Sequence, residues 1–87
     1  MKKIELYTTS DFNTSAILYC YFTPVKILED VNQRITFYFN SSEESFAKII
    51  DDYFTGRLMI NAKSFISAQR AVRDVIFQRK RDRQVRV

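Results

Sequence analysis

The sequence predicts an α+β domain, with a small antiparallel sheet, helices packed on one face of it and a long C-terminal helix. Three observations carry that reading. Apolar residues alternate with period two near the N-terminus and again between residues 25 and 40. In two later segments they recur at spacings of three and four, the signature of an amphipathic helix. Gly56 is the only glycine and Pro24 the only proline, so long irregular loops are not expected. The resulting element order is β-α-β-β-α-(β)-α, the bracketed strand being the short run 57–60.

Each element has a local cause. Residues 3–8 alternate, with Ile4, Leu6 and Thr8 on one side and Lys3, Glu5 and Tyr7 on the other, which reads as a half-buried strand. Thr8, Thr9, Ser10 and Asp11 are candidate N-caps, because their side-chain oxygens accept from free N–H groups at a helix start. A helix over 11–22 follows. Its apolar residues cover most of its circumference, so it is expected to be enclosed, with only Asn13, Thr14 and Ser15 facing outward. Pro24 stops it, since the residue before a proline is pushed out of helical geometry. Two strands, 25–30 and 34–40, are joined by the polar link Val31-Asn32-Gln33 and predict an antiparallel hairpin. The inward set is Val25, Ile27, Ile35, Phe37 and Phe39, joined by Ile4 and Leu6.

Ser41 and Glu44 have capping-box spacing ahead of a helix over 42–55, whose buried stripe is Phe46, Ile49, Ile50, Tyr53 and Phe54. Its acidic residues Glu43, Glu44, Asp51 and Asp52 face water. Gly56 falls where a left-handed C-cap is expected. Asn61 caps the last helix, 61–83. Phe65, Ala68, Val72, Val75 and Ile76 give that helix its core stripe, and Arg79-Lys80-Arg81-Asp82-Arg83 give it a cationic end.

A chain of 87 residues is one domain, 1–87, with 78–87 as a basic C-terminal extension. So short a chain buries a small core, and eight Phe and five Tyr compensate by burying more apolar area per residue. The net charge of +4 is unevenly placed. From Arg70 onward seven Lys/Arg face two Asp, whereas the preceding residues carry seven Lys/Arg and eight Asp/Glu. The basic character therefore belongs to the C-terminus and not to the body. A lone cysteine, Cys20, without a disulfide partner, points to a reducing cytoplasmic setting and reads as a small core residue. The longest apolar run, 16–22, is far short of the ~20 residues that span a bilayer. Glu5 and the polar stretch 8–11 interrupt any export-signal core after Lys2-Lys3.

Most catalytic chemistries lack their residues here. There is no histidine, so neither a Ser/His nor a Cys/His nucleophile pair can be assembled and a zinc site is not expected. One glycine rules out the phosphate-binding loop and the dinucleotide fingerprint. Glu43/Glu44 and Asp51/Asp52 are adjacent pairs, which diverge by about 100° on a helix and do not converge on one atom. No enzyme activity, cofactor, metal or small-molecule substrate is expected.

Several local patterns together resemble one family: Thr9-Ser10-Asp11-Phe12 at a helix start, the aromatic-rich strand 34–39, and the passage Asp52-Tyr53-Phe54-Thr55-Gly56 through Ile60-Asn61 to Phe65 and Ala68. They are similar to a group of small single-domain proteins of bacteria and their phages, catalogued as a domain of unknown function. The likeness spans residues 7–77. It departs from that pattern at Phe22-Thr23-Pro24, where a glycine often follows the first helix. The resemblance implies a compact cytosolic domain associated with mobile elements, and brings no catalytic residue and no ligand.

Two surfaces remain as candidate nucleic-acid contacts. One is the basic end, Arg70, Arg73, Arg79, Lys80, Arg81, Arg83 and Arg86, since the guanidinium fork matches phosphate. On a helix, Arg70, Arg73, Phe77 and Lys80 fall on one stripe. The plainer account is a solubilising tail whose cations suit the helix dipole. The other surface is the outer sheet face, with Tyr7, Lys26, Arg34, Thr36 and Tyr38, whose tyrosines could stack unpaired bases or simply shield the sheet. The alternative to nucleic acid is a protein partner or a homodimer held through an exposed aromatic patch, with Phe77 as the first candidate because it lies off the core stripe.

Overall fold

A computed structural model describes residues 5–85, with side chains described through Lys80. The elements are β1 (Leu6–Thr9), α1 (Phe12–Tyr19), β2 (Lys26–Glu29), β3 (Ile35–Asn40), α2 (Glu44–Phe54) and α3 (Ala62–Val85). The fold is α+β with a long C-terminal helix. The sheet is antiparallel throughout with β3 in the middle, order β1-β3-β2. The central strand alternates as its sequence does: Ile35, Phe37 and Phe39 are buried, and Thr36, Tyr38 and Asn40 are half-buried on the opposite face. The core joins that inner face to Ala16 and Leu18 of α1, Phe46 of α2, and Ala68 and Val72 of α3. All three helices therefore contribute to one side of the sheet.

The ends of α2 and α3 follow their capping residues. Gly56 has φ +77°, the left-handed geometry a glycine adopts without strain. Its N–H donates to the Tyr53 carbonyl and the Arg57 N–H to the Asp52 carbonyl, the paired bonds of a Schellman turn. The same turn accounts for residues 57–60, which form no strand. The Leu58 N–H also donates to the Asp52 carbonyl (3.1 Å), so these donors finish α2 and are not offered to the sheet. Asn61 caps α3 as expected, its Oδ1 accepting from the Ser64 N–H (3.1 Å).

Several expectations need correcting. Val25, placed on the inward face, precedes the start of β2 and is 54% exposed, and Phe54, placed on the buried stripe at the last turn of α2, is 66% exposed. Strand β1 presents its other side: Tyr7 is opposite Phe39 in the register, and cross-strand partners share a face. Tyr7 therefore turns toward the core, with its ring 5.5 Å from that of Phe46, and Leu6 is left 44% exposed. Burial raises the Tyr7 phenol pKa above its ordinary value, and the nearby Tyr53 and Asp11 add to the rise. Thr14 and Ser15 of α1 face inward. They can do so because Asp11 satisfies both hydroxyls, Thr14 Oγ1 donating to Asp11 Oδ2 and Ser15 Oγ to the Asp11 carbonyl, each at 2.8 Å.

The end of α1 comes early as well, at Tyr19. The Cys20 N–H is shared between the Ala16 and Ile17 carbonyls, and the Tyr21 N–H donates to Leu18, so the last turn tightens ahead of Pro24. Lastly, the Ser41/Glu44 capping box is not formed. Asn40 Oδ1 instead accepts from both the N–H and the hydroxyl of Ser42, which holds that residue in a turn and moves the helix cap to Glu43.

Candidate nucleic-acid interface

The rotation of α3 about its axis decides where its cations go. Ala68 and Val72 are buried, and Phe65, Val75 and Ile76 pack against them, so the core stripe read from the sequence anchors the helix on α1 and the sheet. At 3.6 residues per turn, Ile66, Arg70, Arg73, Phe77 and Lys80 then fall on a separate flank. All five are exposed, Phe77 at 56%. Arg70 to Lys80 spans about 15 Å along the axis.

Arg79 does not join them. It is half-buried on the other side of the helix, where it lines a groove of ≈560 Å³ with Ile27, Asp74, Val75 and Gln78. Arg81, Arg83 and Arg86 lie outside the residues with described side chains, although helical backbone continues to Val85.

Nothing among the described residues neutralises the flank. The ion pairs among the described residues join Lys48 to Asp52 (3.2 Å) and Arg57 to Asp51 and Asp52 (3.1 and 3.8 Å), all on α2 and the turn after it. The acidic face of α2 is thus partly satisfied by its own neighbours and not by α3. Asp74, exposed and beside Arg73 in sequence, is the one described carboxylate on the C-terminal half of α3.

One contact on this flank was not readable from the sequence. The Arg73 guanidinium lies 5.9 Å from the centre of the Phe12 ring, at the first turn of α1. A cation over a ring is held by the ring quadrupole, which narrows the side chain's freedom while leaving its N–H groups facing water. No sequence signal pairs these two residues, because the contact exists only where α1 crosses α3.

The outer sheet face is reduced from the expected set. Tyr7 is on the inner side. Arg34 is exposed in the hairpin turn, where its backbone N–H donates to Asp30 Oδ1 (2.9 Å). Lys26 and Tyr38 are directly opposite in the register, and the Lys26 ammonium sits 4.8 Å from the centre of the Tyr38 ring. That ring therefore already has a cation over it.

Other polar surroundings are less convergent. Among the described residues no cluster of three or more His, Cys, Asp or Glu could hold a metal ion. No helix among them is long and apolar enough to cross a membrane. Cys20 is half-buried, and burial pushes its thiol pKa up, away from the reactive thiolate. An open groove of ≈620 Å³ beside it is lined by Tyr19, Lys63, Ser64, Ser67 and Ala71.

No curated protein and no solved structure gave a significant match to the chain. A family model matches residues 4–78, from just ahead of β1 to just past Phe77, and the chain therefore belongs to the family described as a domain of unknown function, DUF5659.

Proposed function

We propose that this chain is a non-enzymatic, cytoplasmic binding module of mobile-element type that contacts nucleic acid through the arginine-rich end of α3. The observation that supports this reading is the exposed flank of Arg70, Arg73 and Lys80, held off the body by the core stripe and unpaired with any described carboxylate. Cations with no ion pair among the described residues gain most from a polyanion, which releases counterions as it binds. The helical backbone continues through Val85, and Arg81 and Arg83 fall within that span in sequence.

The test is a mobility-shift titration of the full chain against a chain ending at Phe77, each at several salt concentrations. The full chain is expected to bind without strong sequence preference. Its affinity should fall steeply with salt, with a log–log slope of about 0.7–0.9 per phosphate contact. The shortened chain should be weaker and less salt-dependent. Equal, salt-insensitive retention by both chains, or none by either, overturns the proposal.

A second reading has its own observation. Phe54 and Met59 are 66% and 89% exposed, close to an apolar hollow of ≈340 Å³ that includes Ile17, Tyr53, Leu58 and Phe65. This patch suits a protein partner or a second copy. A complex that survives moderate salt and is lost on Phe54→Asp would favour it, and a monomer by light scattering that retains no partner would remove it.

A further inference from the structure

The basic flank of α3 carries an aromatic ring that the fold does not use. Phe77 is 56% exposed and outside the core cluster, with Arg73 four residues before it and Lys80 three after. On a helix those two cations lie about one turn above and below the ring. Resting on the reading that this flank binds nucleic acid, we infer that its ligand is a single strand, and that Phe77 is the platform on which one unpaired base stacks while Arg73 and Lys80 hold the phosphates on either side.

A duplex presents phosphates outward and hides its base faces, so an exposed ring on the contact surface gains little from it. A single strand offers π-faces and phosphates together, which is the combination that the flank presents. Arg73 is already braced on Phe12, so less side-chain freedom is lost when it meets a phosphate. Asp74, next to Arg73 and three residues before Phe77, repels a phosphate on its own side and favours a path along Arg73 and Lys80. The Tyr38 ring is covered by the Lys26 ammonium, whereas Phe77 has no such cover among the described contacts.

A second copy of the chain fits this surface poorly. The exposed described residues around Phe77 include Arg70, Arg73, Asp74, Gln78 and Lys80, which do not form an apolar patch. Two such flanks brought face to face would oppose like charges.

The experiment uses the full chain and fluorescein-labelled oligothymidylate and oligouridylate, with a thymidylate·adenylate duplex of equal length, read by fluorescence anisotropy. Phe77→Ala is expected to weaken binding to both single strands by about tenfold and to change duplex binding by less than about twofold. Phe77→Trp should restore single-strand binding. Because Phe77 is exposed and outside the core, both variants should keep the wild-type circular dichroism spectrum.

Single-strand affinity unchanged by Phe77→Ala, with binding otherwise intact, overturns this inference and leaves the charge-based proposal standing. No binding of any probe by the wild-type chain overturns both. A light-scattering dimer that Phe77→Ala dissociates overturns this inference in favour of self-association.

Discussion

Replacing Asp11 by alanine tests whether the buried polar residues of α1 depend on one exposed carboxylate. Asp11 Oδ2 accepts from the Thr14 N–H (2.9 Å) and the Thr14 hydroxyl (2.8 Å). Thr14 is only 5% exposed, so water is a poor substitute for that partner. Loss of an N-cap costs about 1 kcal/mol. A buried hydroxyl left without its partner costs a further ~1–2 kcal/mol. The sum, about 2–3 kcal/mol, is a large part of the roughly 4–13 kcal/mol total for a chain of this size. It corresponds to a fall in Tm of roughly 10–20 °C.

Thermal unfolding followed by circular dichroism measures this directly. Adding Thr14→Val to Asp11→Ala should recover about 1 kcal/mol, because the stranded hydroxyl is gone. The pH dependence has a definite sign. The bonds from the Thr14 backbone and side chain lower the Asp11 pKa, so the folded state prefers the carboxylate. The stabilisation is present above the ordinary carboxylate range and is lost as pH falls through the lowered folded-state value. The gap between wild type and Asp11→Ala should therefore narrow in acid. A cost below about 0.5 kcal/mol, or strict additivity with Thr14→Val, would refute the reasoning.

Two further outcomes follow from single residues. Gly56→Ala should cost about 1 kcal/mol in urea unfolding, with no loss of fold, since an added Cβ meets nothing within 4 Å and only the left-handed backbone is strained. The Cys20 thiol should be alkylated by iodoacetamide more slowly than free cysteine at neutral pH and approach it only at alkaline pH, because burial favours the protonated form. Alkylation of the folded chain at the free-cysteine rate would contradict that placement.

The chain's own sequence determined the helices that carry long periodic stripes and strong end signals. The core stripe of α3, its Asn61 cap and the Gly56 turn were all legible, because each depends on spacing or backbone preference within a few residues. The exposed line of Arg70, Arg73, Phe77 and Lys80 was legible for the same reason, as a geometric consequence of the stripe a third of a turn away.

Only tertiary structure could decide the rest. Strand β1 has apolar or aromatic residues on both sides, and alternation alone leaves two choices of inner face. The pairing of Tyr7 with Phe39 selected one. Thr14 and Ser15 look like surface residues until Asp11 is seen to satisfy them. Arg79 belongs to the basic run in sequence yet lines the groove beside β2, and Arg73 meets Phe12 only because two helices cross. Periodicity states which residues share a side of an element, whereas contacts between elements settle what that side faces.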